Sequence, residues 1–223
     1  MNRVTVATAI AILFHLIGLV GILCYDASLF ARMTPWNICL MFVLMLYTHQ
    51  SFNRSFWFFL VIGCMAGIII EIIGTQTGLL FGAYQYGSIL GPALVKVPLI
   101  IGINWVIVVY CCGSTIQWLL HKSFSASETA QPKSILQTLS IIVDGALLAV
   151  LFDWIIEPVA IRLGFWSWAG DGSVPLYNYV CWWVVSMCFL YFFNRYNMGN
   201  RNKFAVHLWG IQAMFFLLLR TFL

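Results

Sequence analysis

Charge is what this sequence has least of. Only 8% of its 223 residues are Asp, Glu, Lys or Arg, eleven basic against seven acidic, while 62% are hydrophobic. A soluble domain carries about a quarter charged residues, so this chain is too poor in charge to cover itself with a water-facing surface. With a mean hydropathy of +0.95, the composition is that of a multi-span membrane protein. The formal net charge of +4 is too small and too scattered for a nucleic-acid surface. The cysteines at 24, 39, 64, 111, 112, 181 and 188 lack the C-x-x-C or Cys/His spacing that holds zinc, haem or an iron–sulfur cluster, and they read as small apolar residues of the interior. His15, His49, His121 and His207 are isolated on different apolar blocks, which excludes the clustered histidine boxes of a membrane di-iron hydroxylase. The last apolar block has no lysine at its middle, only Lys203 at its edge, so a retinal-binding protein is excluded too. No internal repeat is evident, and an inverted-repeat transporter has no direct support.

What is present is apolar length. A spanning helix needs about 20 mostly apolar residues, and seven blocks offer this: Val4–Cys24, Thr34–Thr48, Phe56–Ile73, Val97–His121, Ser134–Glu157, Leu176–Asn194 and Phe204–Phe222. The second is the shortest, of a length that also suits an interfacial or re-entrant segment. The expected fold is therefore an all-α polytopic membrane helix bundle of about seven helices, forming one domain over residues 1–223. Seven spans place Arg3, Arg54, Lys122, Lys133, Arg195, Arg201 and Lys203 on one side, and Arg32, Lys96, Arg162 and Arg220 on the other. The positive-inside rule then puts the N-terminus in the cytoplasm, as in a bacterial inner membrane protein. On the basic side, Ser123–Lys133 reads as a polar linker and Arg195–Lys203 as a short turn. The two loops opposite, Gly74–Lys96 and Arg162–Pro175, interleave glycines with aromatics and hydroxyls and read as re-entrant or interfacial lids. Irregular backbone at that depth is tolerated only where it is buried in protein or lines a cavity.

Four carboxylates lie within or at the ends of the predicted spans: Glu71, Asp144, Asp153 and Glu157. A central aspartate costs at least about 2.5 kcal/mol on insertion scales, which makes an intramembrane acid a functional candidate. Glu71 and Asp153 each fall some seven residues past the centre of their span, or roughly 10 Å from the midplane, on the side of the two lids. They can face one pocket. Asp153 and Glu157 are i,i+4 neighbours on one helical face, with Pro158 expected to end the regular hydrogen bonding just after. Two carboxyls so placed in a low dielectric resist double ionisation and keep a proton between them. The competing readings are a hydrogen-bonded structural carboxyl, or a Glu157 that reaches the headgroups and pairs with Arg162. Asp144 lies nearly opposite Asp153 around the helix and is assigned to packing. Asn104, Asn178, Thr75, Thr77, Tyr84 and Tyr86 are positioned to complete a polar cluster able to hold water, although interhelical bonds and an aromatic belt use the same residue types. Trp166 and Trp168 offer π-faces that would stabilise a cation. Asp153-Trp-Ile-Ile-Glu157 also has the look of a magnesium–diphosphate motif, but a membrane prenyltransferase would need a second acidic motif and several basic residues, and only Lys96 and Arg162 lie near this end.

Five segments in order, Glu71-Ile-Ile-Gly74-Thr75-x-Thr77-Gly78-x-x-Phe81-Gly82-x-Tyr84-x-Tyr86, Val97-Pro98 through Asn104-Trp105, Asp153-x-x-x-Glu157-Pro158-x-Ala160, Phe165-Trp166-x-Trp168, and Val174-Pro175-x-x-Asn178-Tyr179-x-x-Trp182, resemble the carotenoid ψ-end hydratases. This membrane family includes γ-carotene 1′-hydratases and bisanhydrobacterioruberin hydratases. The likeness runs from about residue 60 to 185, and the family is similar in character to the small membrane lycopene cyclases. The resemblance implies a carotenoid substrate taken from the bilayer, no cofactor and no metal, membrane lipid as surroundings, and other carotenoid-pathway enzymes as neighbours. With it, Asp153, or the coupled Asp153/Glu157 pair, is the candidate general acid, and an exchange of roles between Asp153 and Glu71 stays open. Glu71 would accept a proton from water oriented by Asn104 and Thr75. Trp166, Trp168, Tyr84, Tyr86, Phe81 and Asn178 would shape the end pocket. A cyclase sharing the first protonation, and a non-catalytic lipid carrier or transporter, are the alternative readings.

Overall fold

The structure, a computed structural model, describes residues 2–124, 134–196, 198 and 202–223. Among them are eight helices: α1 (Arg3–Cys24), α2 (Ala27–Arg32), α3 (Thr34–Thr48), α4 (Arg54–Thr77), α5 (Ile100–Phe124), α6 (Ile135–Arg162), α7 (Leu176–Arg195) and α8 (Lys203–Phe222). Four short strands accompany them: β1 (Tyr84–Tyr86), β2 (Ala93–Leu94), β3 (Val97–Pro98) and β4 (Trp166–Trp168). This is the expected all-α membrane bundle. Six helices are long and apolar enough to cross a bilayer. The connections expected at Ser123–Lys133 and Arg195–Lys203, with Lys133 and Arg201, lie largely outside the described residues.

The helices start where side chains can take the unpaired N–H groups of a first turn. Asn2, Asp26, Asn53 and Asn202 accept from Val4, Leu29, Phe56 and Phe204, and Ser134 with Gln137 forms a reciprocal capping box. The second apolar block is the 15-residue α3, about 22 Å long at 1.5 Å per residue and shorter than a full span. It nevertheless carries the chain back along α1, because the Arg3 guanidinium lies 5.5 Å from the Tyr47 ring centre. The unexpected α2 covers the other end of α1, where a Cβ on Gly21 would lie 2.3 Å from the Phe30 ring.

α5 is the axis of the bundle, with Trp105, Val106, Ile107, Val109 and Tyr110 almost entirely buried. Small residues bring α4 against it: a Cβ on Gly67 would sit 3.0 Å from that of Trp105, and one on Gly102 only 2.5 Å from the Cys64 carbonyl oxygen. Such contacts suit a bundle in lipid, where tight packing rather than water exclusion holds helices together. At the basic end, Tyr110 and His49 hydrogen-bond at 2.8 Å, and Asn202 donates to both Tyr110 and Thr48, tying α3, α5 and α8 together. All seven cysteines are free, but Cys24 and Cys188 are exposed on the outside of the bundle rather than in its interior.

Two expected boundaries move. The helix read as ending at Ile73 continues to Thr77 and stops at Gly78, whose φ of +67° suits a residue without a Cβ. Pro158 does not end its helix either, since α6 continues to Arg162. A proline removes the N–H that would bond the carbonyl four residues back, and here the Arg220 guanidinium donates to that carbonyl, Trp154 O, at 3.0 Å.

Candidate active site

The two lids are not separate flaps. β1 and β4 pair antiparallel, with Tyr84 opposite Trp168, Gln85 opposite Ser167 and Tyr86 opposite Trp166, and Gly87 N–H extends the ladder to Phe165 O at 2.8 Å. Side chains alternate across a strand, so both tyrosines and both tryptophans share one face of this ribbon. That face meets the carboxylates. Close approach at its end requires glycine, because a Cβ on Gly87 would lie 2.2 Å from the Gly164 carbonyl oxygen.

Glu71 (α4) is 3% exposed and takes three donors: the Tyr84 hydroxyl in a short bond, the Tyr86 hydroxyl at 2.7 Å, and Trp105 Nε1 at 2.8 Å. Burial, followed by the adjacent Glu71 carboxylate, pushes both phenols above their ordinary range, so they remain donors at neutral pH. Glu157 (α6) is 3% exposed, and its Oε2 accepts from Trp166 Nε1 at 2.9 Å and Trp168 Nε1 at 3.0 Å. It therefore points inward to the indoles instead of outward to Arg162. Asp153, one turn earlier and 4% exposed, receives Asn178 Nδ2 at 2.7 Å. Each carboxyl is thus held by a different element: Glu71 by β1 and α5, Glu157 by β4, and Asp153 by α7.

The three carboxyls open on one cavity of about 40 Å³, together with Phe81, Tyr84, Tyr86, Trp166, Trp168, Asn178 and Trp182. A polar cavity of this size has room for a water. Behind its walls, Trp182 stacks on Trp105 at 4.1 Å between ring centres, and Phe81 lies 6.2 Å from Trp105. Phe81 reaches this place through a left-handed backbone, φ +65°, a conformation that costs about 1–3 kcal/mol in a bulky residue and persists only where surroundings enforce it. Among the described residues no group of three His, Cys, Asp or Glu side chains is gathered as metal ligands.

Three expected members are not brought to this cavity. Thr77 is exposed at the end of α4, where its hydroxyl donates to the Ile73 carbonyl at 2.5 Å. Thr75 lies on the last turn of α4, and its hydroxyl bonds the Glu71 and Ile72 carbonyls. Asn104 is turned about 100° from Trp105 around α5 and lines a different space. Asp144 is exposed and accepts from Ser140. Trp105, one residue beyond the expected Asn104, is the donor that the sequence reading missed. Trp182 was also missed as a wall, although its place one turn after Asn178 puts both on the same helical face.

The space that Asn104 lines is an apolar cavity of about 320 Å³ bounded by α1, α2, α3, α5, α6 and α8, with Phe152, Ile156 and Phe215 among its walls. Trp166 belongs to the walls of both cavities. The fold and site thus define an integral membrane protein in which a greasy chamber adjoins a small acidic one. The chain belongs to the family of carotenoid biosynthesis proteins, whose model matches residues 34–223. The match extends beyond the 60–185 core of the sequence resemblance to take in α3 and α8. No curated protein and no solved structure matches the chain.

Proposed function

We propose that the protein is a cofactor-independent carotenoid hydratase that adds water across the terminal double bond of an acyclic ψ end, in a bacterial inner membrane with its N-terminus in the cytoplasm. The observation that carries this reading is the shared wall. Trp166 separates a chamber suited to a polyene from a water-sized cavity lined by three carboxyls.

The carboxyls divide the work by their partners. A carboxylate's charge is held by the donors aimed at it, and Glu71 has three, Glu157 two and Asp153 one. Asp153, next to the charge of Glu157, is the group fitted to carry a proton to the alkene. Transfer of that proton to C2′ leaves a tertiary cation at C1′, which faces the indoles of Trp166 and Trp168. Water in the cavity adds through its oxygen to C1′ and gives its proton to Glu71. Return of this proton to Asp153 restores the site, so the reaction consumes one alkene and one water and needs no electron transfer.

The test is to express this chain alone in a bacterium that accumulates lycopene or γ-carotene and to weigh the pigments. A product heavier by one water per modified end supports hydration. An isomer of unchanged mass indicates cyclisation through the same cation, and unchanged pigment indicates a carrier. Either of these outcomes rejects the hydratase reading.

A further inference from the structure

The large cavity is apolar but not uniformly so, and its polar groups are unusual in having no one to bond. Asn104 from α5 and Gln212 from α8 line it, Gln212 at only 8% exposure, and neither side chain makes a hydrogen bond to a described residue. Asn37, from the first turn of α3, also lines it, and its Oδ1 is enclosed without a partner. His15 of α1 completes the set. Its Nδ1 donates to the Ala11 carbonyl at 2.7 Å, which leaves Nε2 as an acceptor.

Four helices therefore direct amide or imidazole groups to one greasy chamber. Serine and threonine can satisfy themselves on their own helix, as Thr48, Thr75 and Thr115 do here. Asparagine and glutamine side chains facing a cavity cannot do so as readily, and an unbonded amide in an apolar surrounding is costly. A pure hydrocarbon occupant would leave all of them unpaired.

We propose that Asn37, Asn104 and Gln212 form a hydroxyl-binding site within the polyene chamber. The site suits a group that both gives and accepts a hydrogen bond: it would donate to Asn37 Oδ1 and accept from an amide N–H of Asn104 or Gln212. Two sources share that chemistry, a water molecule held beside the reacting end and an alcohol carried by the polyene itself. This inference rests on the polyene reading of the chamber, and it adds that the chamber distinguishes an oxygen-bearing occupant from a pure hydrocarbon.

The experiment compares wild type with Asn104→Leu and Gln212→Leu, placed on different helices so that a folding defect in one does not decide the matter. Purified proteins are loaded from detergent with an acyclic polyene hydrocarbon or with the same polyene bearing one tertiary alcohol. The ratio of alcohol to hydrocarbon retained is read within each preparation, so that partly unfolded material cancels. If the polyene's own hydroxyl is the ligand, the ratio falls about tenfold in each variant, corresponding to roughly 1.4 kcal/mol for one lost hydrogen bond. If water is the ligand, the ratio holds while kcat for hydration falls about tenfold at unchanged KM. An unchanged ratio together with unchanged kcat overturns the proposal. Should wild type bind polyene without hydrating it, the hydratase reading fails alone; the water source then falls with it, and the retention ratio decides the site as one for the polyene's own alcohol, an unchanged ratio overturning it.

Discussion

The guanidinium of Arg220 donates to the main-chain oxygen of Trp154 at 3.0 Å and lies 4.0 Å from the centre of the same residue's indole. That oxygen is the one Pro158 leaves without a helical partner. Asp153 precedes Trp154 and Glu157 precedes Pro158, so α8 repairs α6 within the turn that spaces the two acids. Arg220→Met is expected to lower stability by about 1.5–3 kcal/mol, the worth of a hydrogen bond to a charged donor. In the Pro158→Ala background, where the alanine N–H can serve Trp154 O, most of that loss should vanish. Thermal unfolding of the four proteins in detergent checks it, and additive effects would refute the repair.

Asp153→Asn keeps the size of the side chain and the Asn178 contact but removes the transferable proton. Hydration should fall by at least about 100-fold, the lower range of what general acid catalysis supplies, with polyene retention unchanged. Turnover near wild type in a folded, pigment-binding Asp153→Asn protein would remove Asp153 from the acid role.

Gly87→Ala places a methyl group on the Gly164 carbonyl, a backbone atom that cannot turn aside. The β1–β4 ribbon must then part, at a cost of about 1–3 kcal/mol, and Glu71 loses its two tyrosine donors while Glu157 loses both indoles, Trp105 alone staying on Glu71. Activity should fall more than polyene retention does. Protease cleavage within residues 78–92 that appears in the variant and not in wild type would report the separation directly.

Alkaline titration offers a fourth measurement. Tyr84 and Tyr86 have raised pKa values in the folded protein, so above the ordinary tyrosine value of about 10 the unfolded chain releases protons that the folded chain keeps. Their contribution is full below that value, and stability must decline as pH rises beyond it. Ultraviolet difference spectra should show these two phenols ionising only with unfolding, and Tyr86→Phe should reduce the steepness of the decline.

The bundle is legible because apolar runs of span length have few other fates, and depth along the helices alone places Glu71 and Asp153 at one end. The site's clasp was harder to see. Tyr84-Gln-Tyr86 and Trp166-Ser-Trp168 each carry a two-residue alternation, the signature of a strand, yet three residues between glycines read equally well as irregular lid, and nothing local says that the two pair across some eighty positions. Pro158 reads as a terminator because its missing N–H is a local fact, whereas the Arg220 that compensates comes from the far end of the chain. Asn104 was chosen over Trp105 by chemical type. Which of two neighbours faces a given helix is set by rotation about α5, and the glycines of α4 that fix this rotation gave no sign of it alone.

The paired lids also bear on traffic. Because the roof over the acids is stitched by main-chain bonds from both halves of the protein, opening it upward would undo the very contacts that aim Glu71 and Glu157. The flank asks for no such sacrifice: Phe14, Ile17, Met33 and Trp36 line the large apolar chamber and are also exposed on the exterior of the bundle. Under the proposed function, an oily guest slipping in sideways between α1 and α3 would never have to leave the plane of the bilayer, and the chemistry would stay roofed while it comes and goes.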